Sequence, residues 1–391
     1  MRKASRRPYA GKRFGVLSIA FGLFASAVSS AVFAQDDPGF LHPGALNTAS
    51  GLDRARARIA EGQEPWASIL HRVEQKAQAP GLALTVIDAE DQTQAAASQA
   101  EAVKAYANAL AWRLTGNRKY SRRAIAILNL WANLRGFVGK TDQDKLHAGW
   151  IGALFGEAAE VMRESPDWST DDIAALQAMF RRAFYPQLLT ASHWNGNVDL
   201  TQIDALMTIS VFNDDVSAFK IGLQRLEARS KAYIFLQSDF EPGAGDHRIS
   251  PAVWFDPVRW VDGLTQETCR DNGHHAQFGL ASALHAAEIA WNQGVDVYTP
   301  QTKRFTAAME LLARQLLTGD MQGTCANAVS TDTVFNTFEV GFNHYHYRVG
   351  LPLPFTERLI SERVRPDGAS ELNIFHETLT HGANGEYVWQ Q

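Results

Sequence analysis

Six residues, Asn343 to Arg348, read Asn-His-Tyr-His-Tyr-Arg. The run offers three chemistries: imidazoles to ligate a metal, a phenol or imidazole to move protons, and a guanidinium to hold an anion. On a strand, His344 and His346 would share a face and could take one metal ion; on a helix, two residues apart, they diverge. Val334, Phe338, Phe342, Tyr345 and Val349 recur at spacings of four and three, and the following Gly-Leu-Pro supplies a stop. The segment is therefore expected to be a helix, which removes the metal reading. Tyr345 and Arg348 then meet three residues apart, where a guanidinium lowers the phenol pKa. Spacing alone leaves open the alternative that Tyr345 is a core residue with its hydroxyl capped.

Two further clusters carry chemistry. In "SHWNGNVD", Asn195 and Asn197 flank a glycine just before an amphipathic stretch. They are either turn and N-cap residues or amide donors to a carboxylate, with Trp194 as a platform for a sugar ring. In "ETCRDNGHH", Gly273 breaks the chain and His274 opens an alanine-rich helix. A histidine at a helix N-terminus is biased toward the neutral imidazole, which accepts a proton. Arg270, Asp271 and His275 beside it favour a site over a solitary structural histidine.

The elements that hold these clusters are helices. "QAEAVKAYANALAWRLTG" and "KYSRRAIAILNLWANLRG" repeat apolar residues at helical spacing and end at Gly116 and Gly136, as an antiparallel pair. The pattern continues to "TKRFTAAMELLARQLLTG", with Ser169 and Asp172 spaced as a capping box. Alternation of the strand type is scarce. The fold class expected is all-α: an (α/α) toroid, an incomplete barrel of helical hairpins in a single domain spanning residues 51–391. Only 241–268 breaks the rhythm, and its aromatics predict an ordered loop that lines or closes a cleft.

The chain has 391 residues, 46% of them hydrophobic, enough for a large core and too many for disorder. Residues 1–34 read as a signal peptide: a basic start, an apolar run and "AVFA" ending at Ala34, with Ser5-Arg6-Arg7 also fitting twin-arginine export. Residues 35–50 read as a polar leader. The signal carries six of the 37 basic residues and none of the 42 acidic ones, leaving 31 against 42, a net charge of about −11. Nucleic acid is thereby excluded as a partner, and a polyanionic ligand would need positive charge gathered in one cleft. Cys269 and Cys325, in a chain bound for the periplasm or the exterior, are expected to form one disulfide, the alternative being two separate buried thiols. No segment after the signal is long enough for a membrane span.

Three motifs together, "NGNVDLTQIDALMTISVFNDD", "ETCRDNGHHAQFGLASALHAAEIAWNQGVDVY" and "FEVGFNHYHYRVGLPLP", resemble the alginate lyase superfamily domain of secreted polysaccharide lyases, in the branch acting on mannuronan or glucuronan. The resemblance runs from about Leu52 to Pro354. The Asn-Asn-His-x-Tyr-Trp string of better-known alginate lyases is absent, its elements being split between motifs. The resemblance implies a toroid with a cleft across one end, an anionic polysaccharide substrate, β-elimination and no metal or other cofactor; the chain is expected to be a monomer. Tyr345 would be acid and base for mannuronate or glucuronate, with His274 the candidate base for guluronate. Asn197, a histidine and Arg348 would neutralise the uronate carboxylate. Trp194, Asn195, Arg270, His275, His344, His346 and Arg259 would bind substrate. Two alternatives remain: a glycoside hydrolase using two carboxylates among Asp199, Asp204, Glu267 and Glu339, and a binding protein without turnover.

Overall fold

The structure is a computed structural model, and it describes residues 39–194, 196–240, 251–271, 273–326 and 333–383. Residues 1–34, read above as a signal, the first part of the leader and Asn195 lie outside the described residues. The helices are α1 (Ala49–Ala60), α2 (Trp66–Lys76), α3 (Gln92–Thr115), α4 (Arg118–Trp131), α5 (Asp142–Met162), α6 (Thr170–Met179), α7 (Tyr185–Leu188), α8 (Gly196–Phe212), α9 (Val216–Tyr233), α10 (His274–Asn292), α11 (Tyr298–Thr318), α12 (Glu339–Phe342), α13 (Pro354–Leu359), α14 (Arg365–Asp367) and α15 (Glu377–His381). Local signals set many of their ends. Asp91 and Asn117 cap α3 and α4, Ser169 Oγ caps α6 through the Asp172 amide, and Gly116 and Gly319 end α3 and α11 in the left-handed region. The second helix of the first pair stops at Trp131 instead of Gly136, because Gly136–Phe137 leaves to pair in parallel with Val86–Ile87.

An inner layer of helices is backed by an outer one. α8 is buried at every position and α10 almost throughout, as their alanine-rich, non-amphipathic sequences demand. α4 shows the contrasting pattern, with Leu128 and Trp131 inward and its arginines outward. The inner helices α3, α5, α8 and α10 run parallel, since contacts between them advance together: Ser98 meets His147, Gly149 meets Thr201, Gly156 meets Thr208, and Asp204 meets His285. Gly149, Gly152 and Gly156 let α5 approach α8 to backbone distance; a Cβ at Gly149 would stand 3.0 Å from the Thr201 carbonyl. α1 and α2 pack on α3 and α12 packs on α10, and α15, which belongs to the segment inside the ring, touches α1, α2 and α12. The fold is the expected all-α toroid.

The middle of the ring is filled by the chain itself. Residues 371–382 thread it lengthwise: Asn373 donates to Asp204 (2.9 Å) and Ser282 (3.0 Å), and Glu377 reaches His285 Nε2 (2.8 Å). His285, fully buried, would lose its proton to desolvation alone, but Asp204 and Glu377 outweigh this and hold its pKa at about 10. The leader is more than a leader. Residues 41–47 lie across the ends of α5 and α10, with the Gly44 amide on Glu160, the Leu46 amide on Glu157, and Asn292 donating to the Ala45 carbonyl. Residues 41–47 thus pack on the helices that follow and are continuous with them.

The C-terminal motif departs most from expectation. Helix begins only at Glu339, after Phe338 in the left-handed region, and Asn343–Arg348 forms a π-helical turn. Its wider pitch breaks the spacing rule of the α-helix, so Tyr345 and Arg348 do not stack and Val349 is 53% exposed.

Two outcomes are expected. Gly149→Ala should lower the unfolding free energy by about 1–3 kcal/mol, read from the urea midpoint, because the Thr201 methyl and, behind it, the Thr201 carbonyl crowd the new Cβ and the backbone cannot move aside. His376 is buried in the left-handed region with its pKa pushed down to about 4 by burial and by Arg72 and Lys76. Below the ordinary histidine value the unfolded chain binds a proton that the native one refuses, so stability falls as pH drops from 6.5 toward 4. His376→Asn, which tolerates the same backbone, should flatten that fall by up to about 1.4 kcal/mol per pH unit.

Candidate active site

α5, α8 and α10 all start at one end of the ring, where their N-termini surround a cavity of about 370 Å³. Its lining is Gln143, Leu146 and Trp150 from α5, Trp194, Asn197 and Val198 at the start of α8, Arg270, His274, His275 and Phe278 at the start of α10, and Glu371 with Leu372 from the axial segment. Three helix dipoles thus converge their positive ends on the cavity, an environment suited to anions.

Buried beneath the mouth, Glu267 organises the polar side chains. Its carboxylate accepts from Asn197 Nδ2 (2.6 Å), Arg270 Nη1 (2.7 Å) and the Tyr233 hydroxyl (2.9 Å). Asn197 retains a second amide hydrogen and Arg270 further N–H groups for a ligand. Burial, with Glu267 adding to it, raises the Tyr233 pKa well above its usual value, so this tyrosine is a support and not an acid. Gly279 faces the Tyr233 ring so closely that only glycine fits there.

His275 is oriented by Asp271, whose carboxylate takes both its backbone amide and its ring Nδ1. Burial alone would raise the Asp271 pKa, but the hydrogen bonds from His275 lower it, so the carboxylate stays ionised. With Nδ1 engaged, Nε2 is the nitrogen offered to a ligand. His274 lies alongside, 5.5 Å between ring centroids, wedged edge-on against Phe278 and Phe335. Cys269, immediately before Arg270, is bonded to Cys325, with Cα atoms 5.4 Å apart, which ties this loop to the end of α11. Trp194 is 46% exposed, and the Trp150 indole N–H is buried without a partner among the described residues.

The residues singled out in the sequence divide. Asn197, Trp194, Arg270, His274 and His275 meet at the cavity; the "NHYHYR" run does not. Tyr345 is fully buried, donates to the Tyr298 carbonyl (3.0 Å), and has its pKa raised by burial, the reverse of the lowered phenol expected beside Arg348. Arg348 pairs with Glu288, fourteen residues along α10 from His274 and so about 21 Å away. His344 stacks on Tyr298 at 3.7 Å and His346 on Phe342 at 4.5 Å, so the two rings serve separate packing contacts. Arg259 donates to the Gln322 carbonyl, away from the cavity. Of the loop, the described part packs Trp254 and Trp260 with Phe235 and Leu264, and Phe255 sits 5.6 Å from the Arg270 guanidinium. Gln143, Trp150, Glu371 and Leu372 were missed: the first two lie on α5, outside the three polar clusters, and the last two arrive from a segment far along the chain.

A family model for alginate lyases matches residues 64–235. Over that span, which is less than half of the chain, the sequence is similar to alginate lyases. The likeness is to polysaccharide lyases as a class. Among solved structures, alginate lyase A1-III from Sphingomonas species A1 superposes with a TM-score of 0.64 at 15% identity, over 88% of this chain and 98% of that one. A histidine-to-alanine variant of A1-III complexed with tetrasaccharide gives 0.60 at 15% identity, over 83% and 93%. An alginate lyase from Bacteroides ovatus gives 0.50 at 13%, over 71% and 84%. At these identities the likeness is one of fold. No curated sequence matches the chain significantly.

Glu267→Gln should cost about 2–3 kcal/mol in urea unfolding, toward the low side for a broken buried pair because Arg270 is partly solvated.

Proposed function

We propose that the protein cleaves a uronic-acid polysaccharide of the mannuronan or glucuronan type by β-elimination, with His275 moving the protons and Asn197 and Arg270 neutralising the uronate carboxylate. The observation that carries this reading is the grouping, around one cavity at three helix N-termini, of an amide, a guanidinium and an imidazole oriented by Asp271. A proton on C5 of a uronate is hard to remove while the adjacent carboxylate is fully charged. Donors from Asn197 and Arg270, with the helix dipoles, draw that charge off and stabilise the enolate as it forms. His275 Nε2 takes the C5 proton, the electron pair forms the C4–C5 double bond, and the C4–O4 bond breaks. The protonated imidazole then returns its proton to O4. In mannuronate and glucuronate the C5 hydrogen and O4 share a face, so one imidazole serves both steps. Trp194 provides a flat surface for a neighbouring sugar ring.

The first assignment, Tyr345, is set aside because its hydroxyl is sealed in the core, and the described residues lining the cavity include no tyrosine. Hydrolysis by paired carboxylates is less well supported. Asp199 is held by Arg225 and Arg229, Asp204 by His285, and Glu339 by Arg365, while Glu267 lies beneath the mouth. Residues 1–34 support export to the periplasm or beyond, where such a polymer is met. Among the described residues no helix is long and apolar enough to cross a membrane.

Elimination leaves a conjugated unsaturated uronate that absorbs in the ultraviolet, and hydrolysis does not. Incubation with polymannuronate and glucuronan should give rising absorbance. His275→Ala should lower kcat by about 10²–10⁴-fold, while Tyr345→Phe should stay within about threefold of the parent. Full activity in the His275 variant, or a dead Tyr345→Phe that remains folded, would overturn the assignment.

A further inference from the structure

The cavity that holds His275 contains one charge that the elimination does not use. Glu371 reaches it from the axial segment and is the one carboxylate in the lining among the described residues, in a space otherwise faced by Arg270, His274, His275 and three helix N-termini. It is exposed, and its carboxylate meets neither a hydrogen-bond donor nor a cation among the described residues. Its backbone is nevertheless held. The Glu371 amide donates to the Ile374 carbonyl (3.1 Å) and the Ile374 amide returns to the Glu371 carbonyl (2.9 Å), closing a turn around Leu372. Leu372 takes a φ of 54°, unfavourable for a residue with a side chain, and Gln99 of α3 donates to its carbonyl (2.9 Å). Asn373, bonded to Asp204 on α8 and Ser282 on α10, anchors the far side of the turn. The segment that carries Glu371 is thus tied to three inner helices at once. A carboxylate fixed in a space meant for a polyanion repels what the other walls attract, unless it meets the hydroxyl edge of the sugar.

We propose that Glu371 is a specificity-determining residue of this site, accepting hydrogen bonds from the O2 and O3 hydroxyls of the uronate whose carboxylate lies on Asn197 and Arg270. The proposal rests on the elimination reading of that cavity. In a pyranose ring C2 stands across from C5, so a ring that places its C5 carboxylate on one wall turns its O2 edge toward another. An ionised carboxylate only accepts, its bonds from hydroxyls are charge-assisted, and its two oxygens suit two neighbouring hydroxyls. The same charge turns away a ring that enters with its carboxylate reversed. Glu371 therefore orients the sugar and requires its hydroxyls to be free. The substrate class selected is a uronan unsubstituted at O2 and O3, since acyl groups there remove both donors and press bulk against a pinned turn.

Calorimetric titration with mannuronate and glucuronate tetrasaccharides, and with the same oligosaccharides acetylated at O2 and O3, tests the proposal. It is read in the mature chain carrying His275→Ala, so that the sugar is not consumed. At least one free tetrasaccharide should bind, about tenfold or more tighter than its acetylated form. Glu371→Gln, which keeps the shape and removes the charge, should weaken that binding about tenfold and leave the thermal midpoint unchanged. With His275 intact, Glu371→Gln should raise KM on the unsubstituted polymer by a similar factor and keep kcat within about twofold, the pattern of lost uniform binding. The direction of the change separates two roles: a carboxylate that merely repelled the polymer would, once neutralised, give tighter binding and a lower KM. Unchanged or tighter binding in Glu371→Gln, equal binding of free and acetylated sugars, or no binding of either tetrasaccharide would overturn the proposal. A tetrasaccharide that binds with this dependence on Glu371 but is never cleaved by the parent would count against the elimination chemistry and leave the hydroxyl recognition standing.

Discussion

A ring of helices has to fill its own middle. Here the inner helices are buried on all sides, and the polar groups they turn toward the axis find partners on the segment that runs along it. The Asp204–His285–Glu377 chain is the clearest case: a buried charged imidazole between two carboxylates persists only because each supplies what the others lack. Once the axis is occupied the ring cannot be a tunnel, and each end becomes a separate shallow space with its own chemistry.

Parallel inner helices decide what that chemistry is. Every helix that starts at the His275 end turns the positive end of its dipole toward it, so that end attracts anions before any side chain is considered. Glu267 then works against the field to good effect. A buried negative charge beneath a positive mouth fixes Asn197 and Arg270 in place and prevents them from collapsing onto each other or onto solvent. Positioning, more than raw charge, is what this carboxylate supplies.

Much of this was legible in the chain. Helical periodicity, caps and glycine stops were enough to imply stacked hairpins, and the Asn197 and Arg270–His275 clusters were visible because polar residues crowded against helix starts. What misled was the run from Asn343 to Arg348. Its composition is that of a site, and an α-helical period brings Tyr345 to Arg348; a π-helical turn has a different period, and nothing in the residue types announces it. The leader was equally opaque, since the value of Gly44 and Leu46 lies in backbone amides that meet Glu160 and Glu157, contacts that side-chain patterns do not record. Glu371 and Leu372 could be found only by knowing that a late segment turns back into the ring.

That late segment also sets an order of events. The residues that occupy the axis follow every inner helix of the main ring in synthesis, and their partners on α8 and α10 lie 169 and 92 positions earlier. Until they arrive, Asp204 and His285 face an open, wet channel, and the helical hairpins, though individually quick to form, enclose a gap. Completion is therefore a long-range event, and it comes last.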